Sequence, residues 1–251
     1  MMPTFSNGEV EIAYLDEGAG EPIVLVHGFA SNAHVNWVQP GWVSTLTRDG
    51  RRVIALDNRG HGQSTKLYDP ADYHTDMMAA DVAALIAHLG LERADVMGYS
   101  LGARIAAVLA ARHPESVRSL ILGGVGIKLV EVAGLHHDVA RSLELPSIDD
   151  VADPQAKAFR LFAEQTQSDL RALAACLRGS RQTLQRDELG VVRAPVLVAA
   201  GTRDDIAGSP AGLAALFPSG QALDIPNRDH MVAVGDRVYK SGVLAFLKER
   251  A

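Results

Sequence analysis

One cysteine is the whole thiol content of this 251-residue chain, so no intrachain disulfide can staple it. That residue, Cys176, stands in Leu173-Ala174-Ala175-Cys176-Leu177, where a small buried apolar side chain is the default role. Long apolar runs are missing as well: no window approaches the ~18 residues of a membrane-spanning helix. The first residues, Met1-Met2-Pro3-Thr4-Phe5-Ser6-Asn7, hold neither a basic region nor an apolar stretch. Together these absences predict a protein of a reducing cytoplasm. Positive charge is in deficit, with 24 lysines and arginines against 30 acidic residues and a net charge of −6. The basic residues are scattered, and only Arg51-Arg52 and the Lys248/Arg250 end form small groups, so neither nucleic acid nor an anionic membrane is an expected partner. Linker-like Pro/Gly/Ser stretches, long charge runs and internal repeats are absent too. The expectation is one domain over residues 1–251, long enough to bury a sizeable core. No feature of the sequence specifies an oligomeric state.

What is present is an alternation of strands and helices. Two short strands flank Ser6-Asn7-Gly8-Glu9, whose Asn-Gly favours the positive φ of a tight hairpin turn. Apolar runs follow at 23–26, 53–56, 94–98, 120–122, 196–200 and 222–225, most of them continuous, as parallel strands covered on both faces should be. Helical patterns lie between them at 43–48, 75–89, 101–112, 210–216 and 236–249. The fold class is α/β, with about eight mostly parallel strands flanked by helices. Residues 126–193 break the rhythm: Leu161/Phe162/Gln165 and Leu170/Leu173/Leu177/Leu184 give apolar faces at helical spacing and no convincing strand. An insertion between two sheet strands covers the sheet edge, which predicts a small helical lid.

Gly98-Tyr99-Ser100-Leu101-Gly102 is the most informative segment, because an apolar strand precedes it and a strong helix former follows it. In that context G-x-S-x-G places a serine on a sharp turn at the carboxyl edge of the sheet, and the glycines let neighbouring backbone pass. Loops at the carboxyl ends of parallel strands meet over one crevice. Those loops read His27-Gly28-Phe29-Ala30, Asp57-Asn58-Arg59-Gly60-His61-Gly62-Gln63-Ser64, the elbow itself, Gly201-Thr202-Arg203-Asp204-Asp205, and Pro226-Asn227-Arg228-Asp229-His230-Met231. A serine, an acid and a histidine thus occur in that order, each just past a strand.

A serine hydroxyl is a weak nucleophile at neutral pH and needs a base. Histidine suits, with an ordinary pKa of ~6.5. Of nine histidines, His230 alone follows the last strand on an irregular stretch able to reach the elbow. His88 falls within a helix, His113 ends one, and adjacent His136-His137 would not share a helix face as a metal pair. An acid must hold the histidine tautomer, and Asp204 and Asp205 compete for that place. The other would cap or hydrogen-bond the loop ahead of Pro210. Leu101 N–H, at the positive start of a helix, is a natural donor to a developing oxyanion.

These motifs together resemble the α/β-hydrolase family from about residue 10 to the end, least through the lid. The resemblance implies Ser100 as nucleophile, Asp204 as the orienting acid, His230 as general base and Phe29 N–H as the second oxyanion donor, with no metal and no cofactor. Phe29 and Leu101 would present apolar side chains to the substrate, and Tyr99 could do likewise, though elbow positions are often packed beneath the sheet. The implied reaction is acyl transfer to water from a small to medium carboxylic ester or lactone. The segment also looks like enol-lactone hydrolases, which makes Arg104 a candidate carboxylate anchor, although arginines are mostly exposed and a surface helix position is the plainer expectation. Two other functions stand beside it: carbon-carbon bond hydrolysis, against which the glycine-poor loop after His27 argues, and a ligand receptor that keeps the triad. Serine at the elbow excludes the aspartyl chemistry of haloalkane dehalogenases and epoxide hydrolases, and one cysteine argues against a disulfide-bearing secreted lipase.

Overall fold

Successive residues of a strand face opposite sides, so a sheet covered on both faces needs two separate apolar partners. The computed structural model, which describes residues 2–131, 135 and 137–250, shows that sorting directly; His136 lies outside the described residues. The strands are β1 (Thr4–Asn7), β2 (Val10–Glu17), β3 (Glu21–Val26), β4 (Arg51–Leu56), β5 (Ala94–Tyr99), β6 (Val117–Gly123), β7 (Val196–Gly201) and β8 (Gly220–Ile225). They form one sheet in the order β1-β2-β4-β3-β5-β6-β7-β8, antiparallel across β1/β2 and β2/β4 and parallel elsewhere. The expected hairpin closes with Asn7 opposite Val10 and Gly8 at φ +65°.

The helices are α1 (Trp42–Arg48), α2 (Thr75–His88), α3 (Leu101–Arg112), α4 (Lys128–Glu131), α5 (His137–Ser142), α6 (Pro154–Gln165), α7 (Leu170–Gly179), α8 (Arg186–Gly190), α9 (Pro210–Ala214) and α10 (Arg237–Glu249). On one face Val24, Val26, Ile54, Leu56 and Val96 pack with Val82 and Leu85 of α2 and Ile105 and Leu109 of α3. On the other, Ile23, Leu25, Val53, Ala55 and Met97 pack with Trp42 and Leu46 of α1 and Tyr239 and Val243 of α10. Cys176 is buried on α7, and burial pushes its thiol up to about 12, so it stays an inert thiol. No helix among the described residues is long and apolar enough to cross a membrane.

Between β6 and β7 the described residues contain α4 to α8 and no strand. Val139, Phe159, Ala163 and Leu173 of this insertion form a third apolar cluster with Phe29 and Ala30 from the loop after β3. Thr166 Oγ1 donates to the Ala30 carbonyl oxygen at 2.9 Å, a second tie between insertion and sheet. The spacing did not reveal the single π-helical turn at His34–Val38, closed by Gln39 N–H to His34 O at 2.9 Å. The helix read at 210–216 stops at Ala214.

β5 delivers the elbow, and its amino end is tied down by charge. Asp95 is fully buried, accepts from Ser119 Oγ at 2.7 Å and from Arg51 Nη1 at 3.3 Å, and pairs with Arg250 near the chain end. Removing it would leave two nearly buried guanidinium groups without that carboxylate. Asp95→Ala is therefore expected to cost about 3–5 kcal/mol in urea unfolding. A loss below about 1 kcal/mol, the worth of an exposed pair, would contradict this account of the anchor.

Candidate active site

Ser100 alone makes the reversal between β5 and α3, and its backbone sits at φ 55°, ψ −114°. Such a conformation costs a non-glycine residue on the order of 1–3 kcal/mol, so the surroundings must impose it. They do so by close backbone contact. A Cβ on Gly98 would stand 2.2 Å from Gly102 O, and one on Gly102 would stand 2.0 Å from Val26 O. Neither carbonyl can swing aside, because each belongs to a packed element. Glycine at both places lets α3 start directly over the ends of β3 and β5.

His230, in the stretch after β8, places Nε2 2.9 Å from Ser100 Oγ and Nδ1 2.8 Å from Asp204 Oδ2. Asp204 has a fully buried side chain, and its Oδ1 accepts from Ile206 N–H and Ala207 N–H, each at 3.0 Å. A carboxylate held from two sides in this way has one orientation left for the imidazole. A neutral ring that donates Nδ1–H to Asp204 presents its Nε2 lone pair to the serine hydroxyl. The two loops touch through backbone: Arg203 N–H donates to Arg228 O at 3.0 Å, and a Cβ on Gly201 would stand 2.0 Å from that same oxygen.

Asp205, the rival acid, stands instead on the cavity wall, with its backbone oxygen accepting from Lys128 Nζ at 2.5 Å. The capping role open to it falls to Ser209, whose Oγ accepts from Gly212 N–H at 3.0 Å at the start of α9. Tyr99 is not on that wall. It is buried beneath the elbow, its hydroxyl donates to His230 O at 2.6 Å, and its ring lies 5.6 Å from the imidazole. The expected substrate contact is replaced by support of the histidine loop, because the residue before the elbow serine points to the α10 side of the sheet.

Ser100, Phe29, Leu101 and Arg104 line one cavity of about 300 Å³. Arg104 is only 6% exposed, which corrects the surface reading of this residue; its Nη1 donates to Gln182 O at 2.8 Å. Phe29 packs at 6.0 Å from His61 and 6.1 Å from Phe159 of α6. The loop that carries Phe29 is fixed by Asn36, whose Oδ1 accepts from Gly28 N–H at 3.1 Å, and Gly28 lies against Ser100. Sequence reasoning passed over Asn36, Lys128 and Arg181. Asn36 sits on the unforeseen π turn, and the other two belong to the 126–193 insertion, whose packing periodicity does not encode.

The loops after β3 and β4 are held by buried neutral imidazoles. His27 Nδ1 bonds Gly28 O at 2.7 Å and its Nε2 accepts from Asn58 N–H at 2.9 Å. His61 Nδ1 bonds Arg59 O at 3.0 Å. Asp57 adds acceptors for Ala33 N–H and Gln63 N–H, each at 2.7 Å. Burial lowers His27 to about 4; burial, then the nearby His27, lowers His61 to about 3.

Comparison with known proteins places these features in context. The family model of the alpha/beta hydrolase fold matches residues 21–166. The chain is 32% identical to the dihydrolipoyllysine-residue acetyltransferase component of the acetoin cleaving system of Pseudomonas putida, over 92% of this chain and 64% of that protein. It therefore spans just under two thirds of that relative's length. It is 38% identical to 2-hydroxymuconate semialdehyde hydrolase of Pseudomonas sp. strain CF600, over 48% of this chain and 42% of that protein. Among solved structures, the enol-lactonase from Burkholderia xenovorans LB400 matches with a TM-score of 0.80 at 21% identity, over 98% of this chain and 100% of that one, a likeness of fold.

Two outcomes are expected from this geometry. Gly102→Ala should prevent α3 from seating on β3 and destabilise the protein by more than about 3 kcal/mol in urea unfolding; a loss under about 1 kcal/mol, the ordinary cost of a tolerated substitution, would contradict the contact. Secondly, an unfolded histidine takes a proton near 6.5 while folded His27 and His61 refuse it to about 4 and about 3. The unfolded state thus binds more protons as pH falls below 6.5, and each group removes up to about 1.4 kcal/mol per pH unit. Unfolding free energy measured between pH 6 and pH 5 should decline, less steeply in His61→Gln, and equal values at the two pH points would contradict it.

Proposed function

The chain belongs to the alpha/beta hydrolase fold family, and on that premise we propose that it is a serine hydrolase cleaving a small to medium carboxylic ester or lactone through an acyl-enzyme. One observation carries this: the continuous hydrogen-bonded chain from Ser100 Oγ through His230 to Asp204, with Ser100 on a cavity wall. His230 Nε2 takes the hydroxyl proton as Oγ attacks the acyl carbon. Asp204 holds Nδ1–H and stabilises the imidazolium that results. Collapse of the tetrahedral intermediate breaks the C–O bond, and His230 returns the proton to the leaving oxygen. Water, deprotonated by the same nitrogen, then attacks the acyl-enzyme and releases the acid and Ser100 Oγ–H.

The oxyanion is assigned to the backbone N–H groups of Phe29 and Leu101. The first bond of α3 runs from Arg104 N–H to Ser100 O at 3.1 Å, so Leu101 N–H precedes the helical ladder and is available to a ligand at the positive helix end. Gly28, locked by Asn36 against Ser100, brings Phe29 into the same corner. Loss of one such donor costs on the order of 10²–10³ in turnover. Residues 126–193 serve in this proposal as a lid within a single 1–251 domain.

Carbon-carbon hydrolysis has its own support, the identity to 2-hydroxymuconate semialdehyde hydrolase over 48% of this chain. The same three side chains would act on a vinylogous 1,5-diketone. The glycine-poor run His27-Gly28-Phe29-Ala30-Ser31-Asn32 favours the ester or lactone.

Ser100→Ala is expected to lower p-nitrophenyl acetate hydrolysis by at least about 10³-fold with an unchanged circular dichroism spectrum. Turnover at the wild-type level would remove Ser100 from the chemistry. Asp204→Asn should lower kcat on the order of 10³-fold or more, whereas Asp205→Asn should cost less than about tenfold. The opposite ranking would shift the acid by one residue.

A further inference from the structure

Basic residues that are scattered through the sequence meet at the edge of the sheet opposite Ser100. A second cavity, of about 280 Å³, opens at the amino ends of β5, β6 and β7, and Arg93, Arg118 and Arg193 line it with no acidic residue among the described residues of its wall. Arg93 directly precedes β5, Arg118 is the second residue of β6, and Arg193 leads into β7. Ala110, in the last turn of α3, is also on the wall, about 15 Å along the helix axis from the elbow. A small occupant therefore lies clear of Ser100.

The charge is built into the backbone. Between β5 and β6 the register slips by one residue, Ala94 opposite Val117 but Asp95 opposite Ser119, so Arg118 is the extra residue of a bulge, which re-aims its side chain. Its Nη2 donates to Arg93 O at 3.2 Å, tying two of the arginine positions together, and its Nη1 lies 2.9 Å from Glu21 Oε1. Glu21 is shared with Arg51 and Arg250, so it balances only part of the Arg118 charge. Glu115, beside Pro114 of the wall, lies 3.6 Å from His113 Nδ1 and pairs with none of the three arginines. The guanidinium groups of Arg93 and Arg193 have no hydrogen bond or ion pair among the described residues. Three cations on one wall of a chain whose net charge is −6 repel each other, and a dianion between them offsets that cost. Val117, Val192 and Pro195 make the adjoining wall apolar.

We propose that this cavity binds a phosphate monoester, its phosphoryl group held by Arg93 and Arg193 in the field of Arg118 and its short carbon skeleton against Val117, Val192 and Pro195. A phosphate monoester is close to a dianion at neutral pH, with a second pKa of ~6, whereas a carboxylate or a sulfate ester carries a single charge. Its three terminal oxygens accept from two guanidinium forks at once. The inference is independent of the serine-hydrolase function above, and its test needs no turnover.

That test is isothermal titration calorimetry of the full chain at neutral pH and fixed ionic strength in a phosphate-free buffer, with phenyl phosphate, inorganic phosphate and benzyl alcohol as probes. Phenyl phosphate should bind once per chain with a Kd below about 1 mM, at least about tenfold more tightly than either of the others, because only it fills both walls. Arg93 and Arg193 are exposed, so Arg93→Gln and Arg193→Gln should fold normally, and each should weaken phenyl phosphate at least about fivefold. The proposal is overturned if phenyl phosphate does not bind the wild-type protein, or if neither variant weakens it. Inorganic phosphate or benzyl alcohol binding as tightly as phenyl phosphate overturns the ester assignment. Binding that is lost in Arg181→Gln but kept in Arg93→Gln and Arg193→Gln would put the anion in the cavity at Ser100, and overturns it too.

Discussion

The approach of α3 to the strand ends, close enough that a Cβ on Gly102 would stand 2.0 Å from Val26 O, is the constraint on which the site depends. It forces the whole reversal onto Ser100 and holds that residue at φ 55°. A longer turn would relax the serine and let its hydroxyl wander over several rotamers. Here the strain is supported by two packed faces of the sheet, so the oxygen has a fixed place relative to loops that arrive from β3, β7 and β8. The geometry of this site is therefore bought with backbone strain, and the core on either side of the sheet sustains it.

The same economy of backbone contact sets the other partners. Gly201 allows the Asp204 loop to rest on Arg228 O, and Tyr99, adjacent to Ser100, holds His230 by its carbonyl. One segment thus presents the serine and supports the histidine from below. His27, Asp57 and Asn36 do for the Phe29 loop what Tyr99 does for His230: they satisfy buried backbone groups so that the loop has one conformation. Buried histidines suit this task while neutral, and that ties the order of these loops to pH.

Much of this was legible in the sequence, for physical reasons that differ by element. Ile23 to Val26 and Val96 to Gly98 read as covered strands because both of their faces are buried, and Ser100 read as an elbow because glycines flank it between a strand and a helix former. The positions of Asp204 and His230 relative to strand ends followed from the sheet's polarity. Arg104 was legible as a helix residue but not as a buried one, since α3 is buried over most of its circumference and exposes no clear polar face. Of the two places open to Tyr99, substrate contact or packing beneath the sheet, period-2 geometry selects the second by sending its side chain to the α10 face. Arg181 and Lys128 depend on how the insertion folds over the sheet, and helical periodicity gives an apolar face without saying what that face covers.

Charge adds a last layer. An acidic chain, with a net charge of −6, sets three cationic side chains, Arg104, Lys128 and Arg181, and one carboxylate, Asp205, on the cavity wall that Ser100 shares. All of it presumes that Ser100 is a nucleophile activated by His230. The most direct measurement of that is fluorophosphonate labelling followed by peptide mass mapping of the intact chain. A single phosphonyl adduct on Ser100, lost in His230→Ala, is the predicted result; no adduct, or an adduct on another residue with Ser100 unmodified, would contradict it.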